Sequence, residues 1–229
     1  MNRPKGTPIP AQKVPHTSAR KRPGYEAALL AGLVPAALAT WLCVARLDIP
    51  VARFVWRALY ANKAWAHYTS TLPDALLLLV ACVSAASYAL FRQRISRHGI
   101  DAAALSYKML AIAAPAAFAA KALLKPVFGR INTREWLMAP QEYGFQWFGA
   151  DGRHSGFPSG HMVVVTAMAA VVWRFHPRCR PACLALLLLL ALALIATDYH
   201  FLSDVIAGAY AGLVVEAVTW RTAGRGPAP

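Results

Sequence analysis

Phe157-Pro158-Ser159-Gly160-His161 opens an apolar run and has the composition of a helix start. Proline and serine are favoured at the first positions of a helix, so the backbone N–H groups of that terminus should lie near Ser159 to His161. Such a terminus attracts anions, a glycine lets a ligand approach the backbone, and His161 would stand beside whatever is bound. Further along, His200 and Asp204 stand at neighbouring spacing on a helix face, at the start of another apolar run. A carboxylate there can hold an imidazole in one tautomer and stabilise its cation. One histidine is thereby suited to act as a nucleophile and the other as a general acid. A third stretch, Lys121 to Arg134, gathers Lys125, Arg130 and Arg134.

Groups so far apart in sequence need a scaffold that delivers them to one place. Of 229 residues 58% are hydrophobic and 15% charged, well below the roughly one-quarter charge of soluble domains. That disfavours a soluble enzyme. Apolar segments at about 26–45, 73–91, 102–124, 158–174, 181–197 and 204–220 are each near the length that crosses a hydrocarbon core of ~30 Å. The expected fold is an all-α bundle of six transmembrane helices over 25–220. A basic, proline-bearing arm at 1–24 is expected to be disordered, and 221–229 to be a cytoplasmic tail. The arm lacks the short apolar core of a cleavable signal peptide.

Lys plus Arg is 24 and Asp plus Glu is 10. No nucleic-acid motif occurs among the basic residues, so no nucleic-acid partner is expected, and the excess reads as membrane topology. The arm, Arg92 to Arg97, Arg174 to Arg180 and Arg221 define a cytoplasmic side. Residues 46–72, 125–157 and the turn at Tyr199 fall on the other. Within the first outer loop, Leu47 to Tyr60 has apolar residues at helical spacing with arginines between them, which predicts a helix lying in the interface. Lys108 and Lys121 are expected to snorkel to the two interfaces, Glu216 to pair with a base, and His154 to be an ordinary loop residue. The four cysteines form no disulfide pattern, and His176, Cys179 and Cys183 lack a fourth metal ligand.

Ionisable residues at membrane depth mark a site by default, and all three reactive stretches fall on the outer face. Pro158-Ser159-Gly160-His161, then His200-x-x-x-Asp204, after a basic stretch, resembles the type 2 phosphatidic acid phosphatase superfamily, which includes lipid phosphate phosphatases and vanadium haloperoxidases. The resemblance covers about 25–220. It implies that His200 attacks phosphorus to form a phosphohistidine, Asp204 orients it, and His161 protonates the leaving alkoxide. It further implies that Ser159 and Gly160 bind phosphate oxygens, that Lys125 is the lysine of the first motif, and that no metal or other cofactor is needed.

Two departures stand out. The family's first motif places Arg-Pro where this chain has Asn132-Thr133, flanked by Arg130 and Arg134; its third motif places Ser-Arg where this chain has Ala193-Leu194. Arg130 and Arg134 are therefore the expected substitutes at the phosphate. The expected activity is metal-independent hydrolysis of a phosphomonoester or diphosphate of a lipid, such as phosphatidate, phosphatidylglycerophosphate, a polyprenyl diphosphate or a lipid A phosphate. Transfer to another acceptor, or a degenerate protein that binds or transports a lipid phosphate, are the alternatives. The bilayer and the lipid phosphate are the expected partners, in a bacterial inner membrane with the site facing the periplasm or exterior; no oligomeric state follows. In a cysteine-free background, Ala150→Cys is expected to react with an impermeant maleimide added outside sealed cells. Labelling only from the cytoplasmic side would reverse the topology.

Overall fold

The computed structural model describes residues 23–59, 72–138, 143–149 and 154–224. The expected arm, nearly all of it, and most of the expected tail lie outside these residues. Among them the regular structure is helical, with two isolated bridges, Arg130 to Phe145 and Arg130 to Ser155. The elements are α1 (Pro23–Leu42), a widened π turn (Cys43–Leu47), α2 (Asp48–Leu59), α3 (Leu72–His98), α4 (Ala102–Phe128), α5 (Thr133–Met138), α6 (Gly160–Phe175), α7 (Arg180–Ala196) and α8 (Leu202–Ala223). Among the described residues five helical stretches are long and apolar enough to cross a membrane, and α6 is a shorter apolar helix. The chain is an all-α, multi-pass membrane bundle.

The first span and the interfacial helix are one continuous rod rather than helix, loop, helix. No breaker separates them, but Pro50 has no N–H to give the preceding turn, and just before it the helix widens, with Asp48 N–H reaching back to the Cys43 carbonyl. α2 then buries Asp48, Ala52 and Val55 along one face, the spacing of an amphipathic helix, while Phe54 and Arg57 face outward. A second difference concerns Arg92 to Arg97, which lie beyond the expected apolar segment of 73–91. They continue α3 to His98, because the first breaker is Gly99, whose φ of +74° suits a residue without Cβ. The turn is closed by Asp101, which accepts from Ala104 N–H at 2.7 Å and pairs with Arg94 at 2.7 Å.

α6 is the hub, packed against α4, α7 and α8. Its Val163, Val164 and Ala167 meet Ala114 and Ala117 of α4 and Leu76 and Val80 of α3 in one buried cluster. The outer helices turn leucines away from this core; Leu186, Leu188, Leu189 and Leu192 of α7 are all exposed, as a lipid-facing surface requires.

Two glycines one turn apart on α8 set the α6–α8 separation. A Cβ on Gly208 would lie 2.6 Å from the Ser159 carbonyl, and one on Gly212 would lie 2.6 Å from the Val163 carbonyl. Both contacts are with backbone, which cannot swing aside, so small residues are required here as in other close membrane helix pairs. Gly212→Ala is expected to cost about 1–3 kcal/mol through overpacking, read as a lower thermal midpoint in detergent. Gly32→Ala on α1, where the added carbon meets only Tyr210 at 3.7 Å, should leave the midpoint unchanged or slightly higher. Equal effects of the two substitutions would remove the close-packing explanation.

Candidate active site

The start of α8 is built on a buried ionic cluster. Arg130, fully buried, spans two carboxylates: Nη1 donates to Asp204 Oδ1 at 2.6 Å and Nη2 to Asp48 Oδ2 at 2.8 Å. Asp48 Oδ1 also accepts from Ser203 N–H at 3.0 Å, and Oδ2 from the Ser203 hydroxyl. This caps the first turn of α8, whose N–H groups have no acceptor within the helix. The Tyr143 hydroxyl stands 3.0 Å from Asp48 Oδ2 and 2.9 Å from the Val44 carbonyl of the π turn. The rings of Tyr143, Phe145 and Phe201 enclose the guanidinium at 5.1, 5.1 and 4.5 Å. One arginine thus ties the π turn, the loop after α4 and the start of α8 together.

Arg130 was expected at the phosphate, and the geometry corrects this. Both its terminal nitrogens are engaged by Asp48, Asp204, Ser203 and Tyr143. Its partner Asp204 is held in turn, with Oδ2 accepting from Phe201 N–H at 2.9 Å. The same oxygen lies 3.5 Å from Nδ1 of His200, an ion-pair distance without hydrogen-bond alignment. The imidazole therefore turns Nδ1 to the carboxylate, and Nε2 is its other nitrogen.

Ser159 is the N-cap of α6, as its position before the apolar run predicts. Its N–H donates to the Asp204 carbonyl at 3.0 Å, so the anion-binding edge begins at Gly160 N–H. The Ser159 hydroxyl is buried and has no partner among the described residues. The His161 ring lies 6.4 Å from that of His200 and 5.7 Å from that of Tyr199, centroid to centroid. Lys125 is near enough to Asp204 for their charges to attract. His161, His200, Asp204, Ser159, Gly160 and Lys125 are thus gathered where α4, α6 and α8 meet.

Arg134 lies at the rim. Its Nη2 donates to the Thr197 carbonyl at 3.0 Å, and its Nε is buried without a partner among the described residues. That carbonyl belongs to the turn closing α7, just beyond Leu194, whose own side chain packs with Met162 and Val205 in the apolar wall. Arg134 therefore brings a guanidinium close to the segment where the expected arginine is replaced by leucine. Beside it is Asp198, at a φ of +49°, buried, with neither carboxylate oxygen partnered among the described residues. Burial raises its pKa to about 7, and Arg134 opposes the rise.

Sequence patterns missed Asp48, Ser203 and Tyr143, whose roles depend on contacts far along the chain. Lys121 was expected to snorkel; instead its side chain lies against the first residue of α6, with Nζ 3.6 Å from where a Cβ on Gly160 would be. Among the described residues no group of three or more His, Cys, Asp or Glu is placed to hold a metal ion. A family model described as the PAP2 superfamily matches residues 105–226. No curated protein and no solved structure matches the chain significantly.

Asp198 supplies a pH signature. Below about pH 7 it is neutral and Arg134 is available to an anion; above, its carboxylate competes for that guanidinium. The Michaelis constant for an anionic substrate is therefore expected to rise through pH 7, and Asp198→Asn, which tolerates the same backbone conformation, should flatten the rise. Thermal stability should follow the same ionisation. A raised carboxyl pKa contributes stability that is present below its ordinary value and lost as pH climbs towards 7, so the variant should lose less over that interval. Identical pH profiles for both proteins would exclude Asp198 as the titrating group.

Proposed function

Since the chain belongs to the PAP2 superfamily, whose members act on phosphate esters, we propose that it is a membrane phosphatase that takes a phosphoryl group from a lipid through a phosphohistidine on His200. The observation that carries this reading is the imidazole of His200, backed by Asp204 and facing His161 at the start of α6. Nε2 attacks phosphorus as the bond to the leaving oxygen breaks, and His161 as imidazolium gives that oxygen a proton. Asp204 stabilises the cation developing on His200. Water then cleaves the nitrogen–phosphorus bond, with His161, now neutral, taking its proton.

Lys125, Gly160 N–H, the Ser159 hydroxyl and Arg134 are the proposed phosphate ligands. They supply the positive field that a metal supplies in other phosphoryl-transfer enzymes, and no step requires a metal. Arg134 stands in for the guanidinium absent at Leu194; a lysine cannot give the same planar two-point grip. Membrane-level placement and the leucine-lined exterior support a lipid substrate. The arginine-rich helix ends on the opposite side, Arg92 to Arg97 and Arg174 to Arg180, support a site facing the periplasm or exterior of a bacterial inner membrane. One observation favours a second reading, a lipid-phosphate binding protein without turnover: Leu194 is packed into an apolar cluster where the family pattern has an arginine.

Phosphate release from a panel of lipid phosphates separates the two. The wild type is expected to turn over at least one lipid in EDTA. His200→Ala should lose turnover and acid-labile phosphoryl labelling together, and His161→Ala should slow an alkoxide leaving group more than an activated phenolate. Arg134→Ala should lower kcat about tenfold or more, the loss of one charge-assisted contact worth ~1.5–3 kcal/mol, with membrane insertion unchanged. A wild type that binds every lipid phosphate and releases none would decide for the second reading.

A further inference from the structure

Lys121 is the basic side chain that the proposed phosphate chemistry leaves unused. It precedes Lys125 by one helical turn on the same face of α4, about 6 Å along the axis. Its methylene chain runs along Gly160, where an added Cβ would meet Cδ at 2.6 Å, so the glycine leaves room for the lysine as well as for a ligand. The ammonium lies over the Phe118 ring at 4.1 Å. Among the described residues no carboxylate lies within ion-pair distance of it, and the charge of Lys125 repels it.

A half-buried cation held beside another cation, with no counter-charge, is costly unless an anion joins them. The adjoining helix terminus points the same way. It is the start of a helix of 16 residues, and the fully buried Ser159 hydroxyl beside it has no partner among the described residues. The two lysines also differ in surroundings. Lys125 is attracted by Asp204 and stands on the nucleophile's side; Lys121 has no such neighbour and is one turn nearer the middle of the bilayer.

Resting on the phosphatase reading for its chemistry, we propose that Lys121 binds a second phosphoryl group, so that the site prefers a lipid diphosphate to a lipid monophosphate. The terminal phosphoryl lies at Lys125 and His200, and the phosphoryl bonded to the lipid lies deeper, at Lys121. His200 Nε2 bonds to the terminal phosphorus, the bond from that phosphorus to the bridging oxygen breaks, and the electron pair leaves on the lipid monophosphate, whose charge Lys121 balances. Water then releases inorganic phosphate from His200. Lys121 is thus a specificity residue, since a monophosphate engages Lys125 and the helix terminus without it.

The test compares binding of methylenediphosphonate, whose P–C–P bridge cannot be hydrolysed, with binding of methylphosphonate, by calorimetry on the purified protein in detergent. The wild type is expected to bind the diphosphonate about tenfold or more tightly, the effect of one additional charge contact. Lys121→Gln should erase most of that preference and change methylphosphonate affinity less than about threefold, and Lys121→Arg should retain part of it. With a prenyl diphosphate and the matching prenyl monophosphate, Lys121→Gln should lower the ratio of the two kcat/KM values in parallel. A wild type without preference, or a variant that weakens both phosphonates equally, overturns the second subsite. A protein that releases no phosphate yet shows the Lys121-dependent preference counts against the phosphatase reading alone and supports the subsite.

Discussion

A guanidinium with no access to solvent, held between Asp48 and Asp204, is the constraint on which the other contacts depend. Removing three charges from water costs several kcal/mol per ion, recovered only where geometry is close and remaining donors and acceptors are satisfied. The cluster approaches that condition: Ser203, Tyr143 and the Phe201 N–H complete the carboxylates, and Nε of Arg130 lacks a partner among the described residues. Its formal balance, one cation against two anions, leaves a negative charge beside His200 and within reach of Lys125. A buried excess of that sign stabilises the positive charge that the neutral imidazole acquires only as its nitrogen bonds to phosphorus.

The cluster also links elements that the chain connects only at long range. Asp48 is on the rod formed by the first span and the interfacial helix, Arg130 follows α4, and Asp204 begins α8. Close packing through Gly208 and Gly212 then carries α6 to the same point, where the Ser159 N–H meets the Asp204 carbonyl. Asp204 thereby contacts the cluster with one carboxylate oxygen, His200 with the other, and the α6 terminus with its backbone. A shift of α8 would move both histidines relative to each other, so the helix packing and the proposed chemistry share one set of contacts.

This division explains what could be read from sequence. Membrane helices were legible because apolar runs of sufficient length have few alternatives in lipid, and the Ser159 cap and the His200–Asp204 pair were legible because they rest on spacings within one turn. Arg130 was misplaced because a basic residue near a phosphate motif has the same signature whether it faces ligand or carboxylate; only Asp48, far upstream, distinguishes the two. Lys121 was read as snorkelling because helical periodicity does not show that its side chain runs beside a glycine of another helix. The extension of α3 through Arg92 to Arg97 is not visible in the apolar run because hydropathy marks where a span leaves lipid, whereas the helix itself continues to the first breaker, Gly99.

The remaining positive groups differ in what they can grip. Arg130 is engaged internally, which leaves Arg134 as the guanidinium beside the turn that closes α7, and the ammoniums of Lys121 and Lys125 on α4. An ammonium is a compact charge without directional preference, so Lys121 and Lys125 can neutralise phosphate oxygens without fixing the orientation of the group. Orientation must then come from the rigid donors, the first-turn N–H groups of α6 and the Ser159 hydroxyl, with Arg134 adding the one planar contact. In the proposed reaction this separates two tasks that paired arginines would combine: α4 supplies charge, while α6 and α5 supply geometry. A substrate with more negative charge gains from the first without altering the second, and that is the physical basis on which an additional lysine, rather than an additional arginine, can set selectivity here.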